Sequence, residues 1–401
     1  MALIVMKFGG SSVADAQKIT RVAGIITDSW SEGNDVVVVL SAQGDTTDEL
    51  LEKAAEITPD ASKRELDMLL STGEQISIAL MAMALEKMGI PVISLLGWQI
   101  GLQTNSVYGK ARIKSIKTER IQNELDKRRV VIVAGFQGIN KYDDITTLGR
   151  GGSDTTAVAI AAKLNADLCK IYTDVEGVYT ADPRIVPDAH KLNVITYDEM
   201  LELASLGAQV LNNRSVEMAK RYNVNLEVLS SYVRKPGTIV KEAANMEETK
   251  ISGIAKDSNI ARVALVGLKD EPGTAFKVFR QMAKYNIDID IILQSIGRDN
   301  TKDISFTVAK PDVLRTKTAL EELHSLLKFE SYSIDDSVCK VSIVGAGMIN
   351  SPGIAATMFE ALYDARINIH MISTSEIKVS VLIDQKHGER AMKAIHEKFF
   401  S

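Results

Sequence analysis

Short apolar runs alternate with longer amphipathic stretches along the amino-terminal part of the chain. Five such runs, rich in β-branched residues, are ALIVMKF, DVVVVLSA, PVISLL, RVVIVAGF and CKIYTDV. Their composition is typical of strands that are buried on both faces of a sheet. The stretch from Arg64 to Met88 instead has the apolar spacing of a helix. The side chains predicted to cover one broad face of it are Leu66, Leu69, Leu70, Ile76, Ile78, Leu80 and Met81.

This alternation of strand and helix predicts a mainly parallel α/β sheet with helices on both sides. Ligands of such sheets bind beyond the carboxyl ends of the strands. After VRKPGTIV and the polar stretch from Lys241 to Lys250, the pattern of apolar positions changes. We therefore place the main domain boundary in that polar stretch.

The remainder of the chain contains an internal repeat. The stretch VALVGLKDEPGTAFKVFRQMAKYNIDIDII is similar to IVGAGMINSPGIAATMFEALYDARINIHMI. At one constant offset the matched residues are Pro272-Gly273 with Pro352-Gly353, Phe279 with Phe359, Ile287 with Ile367 and Ile289 with Ile369. Each copy reads as a strand, a Pro-Gly turn, an amphipathic helix and two further strands. Two copies predict a paired regulatory module.

The Pro-Gly turn of each copy lies between the first strand and the helix. Backbone N–H groups at the start of a helix can face a small carboxylate. Alternatively, proline and glycine only shape the turn, since proline suits a first helical position. The duplication of the whole unit favours ligand binding.

Composition and charge limit the classes of protein to consider. A chain of 401 residues with 45% hydrophobic and 25% charged residues is typical of a soluble globular protein with two or three domains. Its net charge of -5 argues against broad binding to nucleic acid. Cys169 and Cys339 each lie in an apolar run, which indicates buried thiols rather than a disulfide. We find no signal-peptide pattern and no uninterrupted apolar run of roughly 18 residues, so we predict a cytoplasmic protein without membrane contact.

The first motif that suggests a binding or catalytic role is MKFGGSS, in which Lys7 ends the first predicted strand and Gly9-Gly10 follow. Glycines let backbone N–H groups approach phosphate oxygens, and a neighbouring lysine adds a mobile positive charge. A tight turn beside a surface lysine is the alternative.

The second motif is GRGGSDTT, residues 149–156, which precedes a helical run. We predict Ser153 as the N-cap residue, so that free amides and the helix dipole would attract an anion. Arg150 could bind a carboxylate with two hydrogen bonds. Asp154 could orient a cation or an ammonium group, or it could only stabilise the first helical turn.

The third motif is YTDVEGVYTADPR, residues 172–184, after a strand-like run. Its hydroxyl, carboxylate, aromatic and guanidinium groups suit a nucleotide, although a polar crossover loop stiffened by Pro183 is the alternative. The chain has no GxxxxGK[ST] phosphate loop and no protein-kinase motif set. The stretch VGAGMINSPG around Gly345 lacks the third glycine of a dinucleotide-binding motif, and we do not interpret it as one.

Together these motifs resemble the aspartate kinases, a family of the amino-acid kinase superfamily. The resemblance covers almost the whole chain and includes KFGGSS, STGEQIS, GRGGSDTTA, TDVEGVYTADPR and ISTSEIKVSVLI. It implies an α/β fold: a mainly parallel, three-layer amino-acid kinase domain followed by two ferredoxin-like ACT units (βαββαβ). The implied domains are residues 1–245, 246–330 and 331–401. From its length, we expect a monofunctional enzyme without the homoserine dehydrogenase that is fused to some relatives.

The resemblance also implies a reaction, in which ATP with Mg²⁺ and L-aspartate gives ADP and 4-phospho-L-aspartate. This is the first step toward lysine, threonine, methionine and diaminopimelate. The implied catalytic residues are Lys7 and Asp154, and Mg²⁺ would be held mainly by nucleotide phosphates rather than by protein ligands. The implied substrate contacts are Ser41, Thr47, Glu74 (for the amino group), Arg150 (for a carboxylate), Gly151, Gly152 and Ser153. The implied nucleotide contacts are Lys7, Phe8, Gly9, Gly10, Thr173, Asp174, Tyr179, Asp182 and Arg184.

For regulation, the resemblance implies feedback inhibition by lysine, threonine or both at ACT–ACT interfaces between chains. The implied effector contacts are Asp270, Asp290, Gln294, Asn368 and Ile369. The assembly would be a homo-oligomer, or an α2β2 enzyme whose smaller chain starts at Met246. Two alternatives remain: a kinase for another carboxylate such as glutamate, and an amino-acid sensor with an inactive kinase domain. The double repeat argues against the first, and the presence of Lys7, Arg150 and Asp154 argues against the second.

Overall fold

The computed structural model describes residues 1–206, 210–242, 251–295, 300–348 and 351–400. These residues form two compact units. The first unit holds most of the chain up to residue 242. The second unit holds Thr180–His190 and the described residues from 251 onward. Met246, at which we predicted an internal start, lies outside the described residues.

The first unit is an α/β unit whose strands and helices alternate along the chain. Its strands are β1 (Leu3–Phe8), β2 (Asp35–Leu40), β3 (Val92–Leu95), β4 (Gln103–Thr104), β5 (Ile113–Ser115), β6 (Val130–Ala134), β7 (Gln137–Ile139), β8 (Ile145–Thr147), β9 (Leu168–Thr173), β10 (Val194–Thr196), β11 (Leu226–Ser230) and β12 (Thr238–Lys241). Its helices are α1 (Ala16–Ser31), α2 (Thr46–Ile57), α3 (Lys63–Leu70), α4 (Thr72–Lys87), α5 (Glu119–Leu125), α6 (Gly152–Leu164), α7 (Tyr197–Ser205) and α8 (Asn213–Tyr222).

The main sheet of this unit has the strand order β10-β12-β11-β9-β1-β2-β6-β3. Its pairs are parallel except for β11 with β12, which are antiparallel. A second, smaller sheet has the order β5-β4-β7-β8. The predicted, mainly parallel α/β architecture is confirmed.

Strand alternation assigns the two faces of the main sheet. On β1, Ile4, Met6 and Phe8 join a core with residues of α1 and α4. Successive side chains of a strand point to opposite faces, so Val5 and Lys7 belong to the other face. Helix α6 contacts β1, where Asp154 pairs with Lys7, and is buried along most of its length. This alternation places a lysine among residues that are otherwise apolar.

Helices α3 and α4 correspond to the predicted helical stretch, but their apolar side chains do not share one face. Ile78, Met81 and Leu85 are buried against the sheet, whereas Ile76 is 49% exposed and Leu80 is 38% exposed. The prediction that the apolar set covers one face was wrong, because apolar residues surround α4. By length and composition alone, the stretch Lys63–Lys87 could also cross a membrane. In this structure Ile78, Met81 and Leu85 of the stretch pack in the core of the first unit.

The second unit contains two four-stranded antiparallel sheets, and helices pack against each of them. Its strands are β13 (Gly253–Asp257), β14 (Ile260–Lys269), β15 (Ile289–Gln294), β16 (Thr301–Ala309), β17 (Ser331–Asp335), β18 (Val338–Val344), β19 (Met371–Thr374) and β20 (Lys378–Asp384). Its helices are α9 (Thr274–Lys284), α10 (Val313–Leu326), α11 (Ile354–Asp364) and α12 (Gly388–Phe400). The matched helices α9 and α11 begin directly after Pro-Gly, with Gly273 and Gly353 as N-cap residues.

The strand pairing divides the two repeats differently from the predicted boundaries. One sheet has the order β15-β16-β14-β17 and the other has the order β13-β18-β20-β19. Strand β17 therefore completes the first repeat, although it lies beyond residue 330. Strand β13 precedes the first repeat in the chain but pairs with β18 of the second. The first repeat is thus inserted into the second repeat, between β13 and β18. A boundary between residues 330 and 331 does not separate the two sheets.

A segment from the middle of the chain also belongs to the second unit. Ala181 and Val186 are buried in the core formed by the second repeat. Thr180 accepts a hydrogen bond from the Ile254 N–H at 2.8 Å through its carbonyl oxygen. Its hydroxyl lies 2.9 Å from Nε2 of His396 on α12. The segment Thr180–His190 is therefore a structural part of the second unit.

Candidate active site

The carboxyl ends of β1, β2, β6 and β9 lie side by side in the first unit. The Ser41 N–H donates to the Phe8 carbonyl oxygen at 3.2 Å, and the Gly135 N–H donates to the Leu40 carbonyl oxygen at 3.0 Å. Phe8 pairs in register with Tyr172 of β9. The loops that follow these strands therefore meet at one edge of the sheet, where ligands of parallel sheets bind.

The KFGG turn requires a bare backbone at this edge. The Gly44 N–H donates to the Gly10 carbonyl oxygen at 3.1 Å. A Cβ at Gly10 would lie 2.6 Å from the Ala42 carbonyl oxygen, which is closer than real Cβ contacts allow. The Phe8 side chain is fully buried and stacks on Tyr172 with ring centroids 4.3 Å apart. Any contact of Phe8 with a nucleotide would therefore involve its backbone.

Lys7 and Asp154 form an ion pair between β1 and α6. The Lys7 Nζ atom lies 2.7 Å from Oδ1 of Asp154, and the two side chains are 13% and 12% exposed. The sequence placed both residues at a possible anion site but did not show that they contact each other. Their attraction fixes a positive charge at the edge of the sheet, beside the first turn of a helix.

The GRGGSDTT loop leads directly into α6. The helix begins at Gly152, and Gly151 is the N-cap residue with a φ of 72° in the left-handed region. Ser153 lies in the first turn and is buried, so the prediction that Ser153 caps the helix was wrong. A left-handed backbone at that position favours glycine over serine. In the part of the chain that the structure describes, the Ser153 and Asp154 amides donate to no acceptor, as expected for a first helical turn.

Arg150 is the exposed residue of this loop. No hydrogen bond or ion pair joins its guanidinium group to another described residue. The side chain is therefore available for an anionic ligand. Gly151, Gly152 and Ser153 follow it and present backbone at the start of the helix.

Asp67 of α3 supports the same loop and was missed in the sequence. It is buried, and its carboxylate accepts hydrogen bonds from the Thr147 N–H at 2.8 Å, the Thr147 hydroxyl at 2.7 Å and the Gly109 N–H at 3.0 Å. These bonds fix the end of β8, just before the loop. The available signal was a single carboxylate within the apolar helical stretch LDMLL.

Glu74 is a buried carboxylate at the start of α4. It is 3% exposed, and its Oε1 atom accepts a hydrogen bond from the Ala42 N–H at 3.1 Å. Its Oε2 atom is buried without a hydrogen-bond partner among the described residues. Burial raises the pKa of the Glu74 carboxyl to about 7. A buried, half-satisfied carboxylate of this kind is suited to a cationic ligand group.

The predicted substrate residues Ser41 and Thr47 flank the segment that contacts Glu74. Ser41 directly follows β2, and Thr47 lies in the first turn of α2. Both are half-buried. The fold thus brings the loop after β2 to the start of α4, as the resemblance implies.

The predicted nucleotide residues are divided between the two units. Thr173 ends β9 and Asp174 directly follows it, and the Thr173 hydroxyl donates to Oδ1 of Asp174 at 3.0 Å. Tyr179 forms an isolated bridge with Lys191 in the first unit. Asp182 and Arg184 lie in the second unit, where their side chains bind each other at 2.8 Å. Their assignment as nucleotide contacts stays a prediction.

Two serine side chains next to β9 were missed. The Ser231 hydroxyl lies 2.8 Å from the Ser12 hydroxyl, and the Ser231 N–H donates to the Thr173 carbonyl oxygen at 3.0 Å. These contacts join the turn after β1 to the residues after β11. Serine in a polar loop has no distinguishing sequence pattern.

In the second unit, Asp270 and Gln294 line a cavity of about 100 Å³ at the start of α9. The Asp270 carboxylate pairs with Lys302 at 2.7 Å. The other predicted effector residues do not line this cavity: Asp290, Asn368 and Ile369. Asp290 instead forms an ion pair with the buried Lys340 of β18, so its side chain links the two repeats. Asn368 is exposed, and Ile369 packs on the core of the second repeat.

A protein metal site in the described part of the chain would need a cluster of side chains that could bind the ion. Among the described residues, no group of three or more His, Cys, Asp or Glu side chains is placed to hold a metal ion.

Comparisons with known proteins agree with this architecture. Residues 2–230 match the model of the amino acid kinase family, and residues 262–328 and 341–399 each match an ACT domain model. The chain is 51% identical to an aspartokinase of Mycolicibacterium smegmatis, covering 100% of this chain and 96% of that protein. Its fold is similar to E. coli aspartokinase III in complex with aspartate and ADP, with 26% identity, a TM-score of 0.83 and full coverage of both chains. The same enzyme in complex with lysine and aspartate has 27% identity and a TM-score of 0.79, again with full coverage.

The raised pKa of Glu74 makes stability depend on pH. The folded state favours the neutral Glu74 carboxyl. The contribution of this protonated group to the free energy of unfolding is therefore complete below the unfolded pKa of about 4.5 and is lost as the pH rises through about 7. A shift of this size corresponds to about 3 kcal/mol. We expect Glu74→Gln to stabilise the ligand-free first unit relative to wild type more at about pH 8 than at about pH 5. Thermal unfolding of both proteins at the two pH values measures this, and an equal difference at both would contradict it.

Proposed function

The chain belongs to the aspartokinase family, and from this premise we propose that it transfers the γ-phosphoryl group of ATP to the β-carboxylate of L-aspartate. The products are ADP and 4-phospho-L-aspartate. A carboxylate oxygen forms the new bond to phosphorus, and the bond between phosphorus and the oxygen of ADP breaks. The β-carboxylate is already ionised at neutral pH, so the reaction needs no catalytic base. Its difficulty is that two anions must approach each other.

The observation that carries this proposal is the Lys7–Asp154 ion pair at the sheet edge. A fixed cation, together with the free amides of a helix start, stabilises negative charge on a phosphoryl group during transfer. Asp154 holds Lys7 in position at 2.7 Å. We assign Lys7 to the transferring group and Asp154 to the orientation of Lys7.

The aspartate substrate carries two carboxylates and one ammonium group, and the site has complementary groups for each of them. The exposed Arg150 side chain would bind the carboxylate that does not react. Glu74, with its unpartnered Oε2 atom, would bind the ammonium group, which favours the ionised form of this carboxyl. Ser41, Thr47 and Ser153 would complete the contacts.

The nucleotide would lie along the ends of β1 and β9, near Gly9, Gly10, Thr173, Asp174 and Tyr179. E. coli aspartokinase III, which has the same fold, binds aspartate and ADP. Mg²⁺ would be held mainly by the phosphate oxygens of the nucleotide, where it neutralises part of their charge.

Regulation, assembly and location are part of the same proposal. The E. coli enzyme binds lysine as well as aspartate, and this chain has a cavity beside Asp270 and Gln294. We propose feedback inhibition by lysine or threonine there, in a cytoplasmic enzyme that forms oligomers. The reaction would be the first step of lysine, threonine, methionine and diaminopimelate synthesis.

One assay tests the reaction. The purified chain is incubated with ATP, Mg²⁺ and L-aspartate, and the acyl phosphate is trapped with hydroxylamine, with and without lysine and threonine. We expect a hydroxamate from aspartate and none from glutamate, with less product when an effector is present. No hydroxamate from aspartate would refute the proposed reaction. Equal product from glutamate would favour a kinase of broader carboxylate specificity.

Removal of the positive charge at Lys7 should reduce the chemical step. We expect Lys7→Ala to lower kcat by roughly 10³-fold or more, as for other cations that stabilise a transferring phosphoryl group. Lys220→Ala is the matched control, because Lys220 forms an exposed ion pair with Asp198 in the same unit. A loss of less than tenfold would remove Lys7 from this role.

Removal of the Arg150 guanidinium should weaken aspartate binding. Because a hydrogen bond to a charged group contributes about 1.5–3 kcal/mol, Arg150→Ala should raise the KM for aspartate by roughly 10- to 100-fold. The KM for ATP should change little. Arg120→Ala on α5 serves as a control for loss of an exposed arginine, and an unchanged KM for aspartate in Arg150→Ala would refute the assignment.

A further inference from the structure

Two side chains at the start of α8 hold the backbone around Arg150. The Asn212 amide Nδ2 donates to the Arg150 carbonyl oxygen at 3.2 Å. The Arg214 guanidinium donates to the Leu148 carbonyl oxygen at 3.0 Å and to the Ala111 carbonyl oxygen at 2.8 Å. The residues on both sides of Gly149 are thus fixed to one helix.

Asn212 performs two separable tasks. Its Oδ1 atom accepts a hydrogen bond from the Arg214 N–H at 3.0 Å and so caps α8. Its Nδ2 atom makes the bond to Arg150. A Cβ at Gly151 would lie 2.3 Å from the same Nδ2 atom, so the loop is packed directly on the amide group. An aspartate at this position could keep the cap, but its carboxylate has no N–H to donate to the Arg150 carbonyl oxygen. A serine could also cap the helix, but its shorter side chain does not extend to where the Asn212 Nδ2 atom lies.

Arg214 is half-buried, and desolvation lowers the pKa of its guanidinium group. Within the described residues, no carboxylate forms an ion pair with it. Its two side-chain hydrogen bonds go to neutral carbonyl groups that belong to two different loops. Desolvation of this cation is unfavourable, and the attraction of Glu217 offsets it only in part, so packing stability alone does not account for an arginine at this position.

We propose that Asn212 and Arg214 are positioning residues of the aspartate site. They fix the Leu148 and Arg150 carbonyl groups, which holds the Arg150 guanidinium and the first-turn amides of α6 in the geometry that binds the substrate. Neither side chain needs to touch aspartate. The inference rests on the proposed function, because it assigns a role in binding the substrate of that reaction.

Asn212→Ser and Asn212→Asp test the bond to the loop while retaining an oxygen that caps α8. We expect the KM for aspartate to rise roughly 10- to 100-fold, since a small displacement of binding groups is enough for such losses. The KM for ATP and the temperature of thermal unfolding should stay near wild-type values. For Arg214, the rise in KM for aspartate should be smaller in Arg214→Lys, which keeps a donor, than in Arg214→Met.

Asn34→Ser is the matched control, because the Asn34 amide also donates to a backbone carbonyl, that of Ser29, but directly precedes β2 at the opposite end of the strand from Ser41. Hydrogen exchange of the backbone amides of residues 149–155 provides a readout that is independent of activity. These amides should exchange faster in Asn212→Ser than in wild type or in Asn34→Ser.

Several results would overturn the inference. One is a wild-type KM for aspartate in Asn212→Ser, and another is unchanged hydrogen exchange. A parallel rise of both KM values with a lower unfolding temperature would reduce the two residues to a structural role. If wild type itself forms no hydroxamate from aspartate, the proposed function fails, whereas the hydrogen-exchange result still decides whether the two side chains hold the loop.

Discussion

The ion pair between Lys7 and Asp154 is the contact on which the rest of the site depends. It joins the carboxyl end of a central strand to the first turn of a buried helix, and both side chains are nearly removed from water. Taking two charges out of water is expensive unless their geometry is good. Because the sheet and α6 fix both backbones, the ion pair forms without a ligand, as the proposed role of Lys7 in electrostatic catalysis requires.

The backbone around the ion pair contains glycines at the two positions where the chain turns sharply or packs closely. Gly10 allows the turn after β1 to approach the loop after β2, and a left-handed Gly151 lets α6 start directly beside Arg150. Asp67 from α3 and Asn212 from α8 then fix the loop on either side of that start. Flexible residues are therefore concentrated where the chain must turn, and hydrogen bonds from rigid helices remove the freedom that those residues introduce.

Much of this could be predicted from local patterns, since apolar runs locate strand ends and strand ends locate Lys7, Ser41 and Thr173. The contacts between side chains, such as Lys7 with Asp154, could not be predicted, because they join residues that are distant in the chain. Ser153 was a reasonable N-cap by residue type, but a glycine two residues earlier adopts a conformation that serine rarely adopts. On α4, Ile76 and Ile78 are equally apolar, so only the position of the sheet decides which one is buried.

In the second unit, too, the sequence did not show which strands pair with each other. The repeat was visible because Ile287 and Ile367 occupy equivalent buried positions, yet β13 pairs with a sheet whose other strands lie beyond residue 337. Hydrogen-bond pairing, not chain order, defines the units. The same holds for Thr180–His190, which leaves the first unit at Tyr179, packs into the regulatory core and returns at Lys191. Since Thr173 and Asp174 lie just before this excursion, the regulatory unit has a covalent connection to the predicted nucleotide loop that is separate from the linker after residue 242.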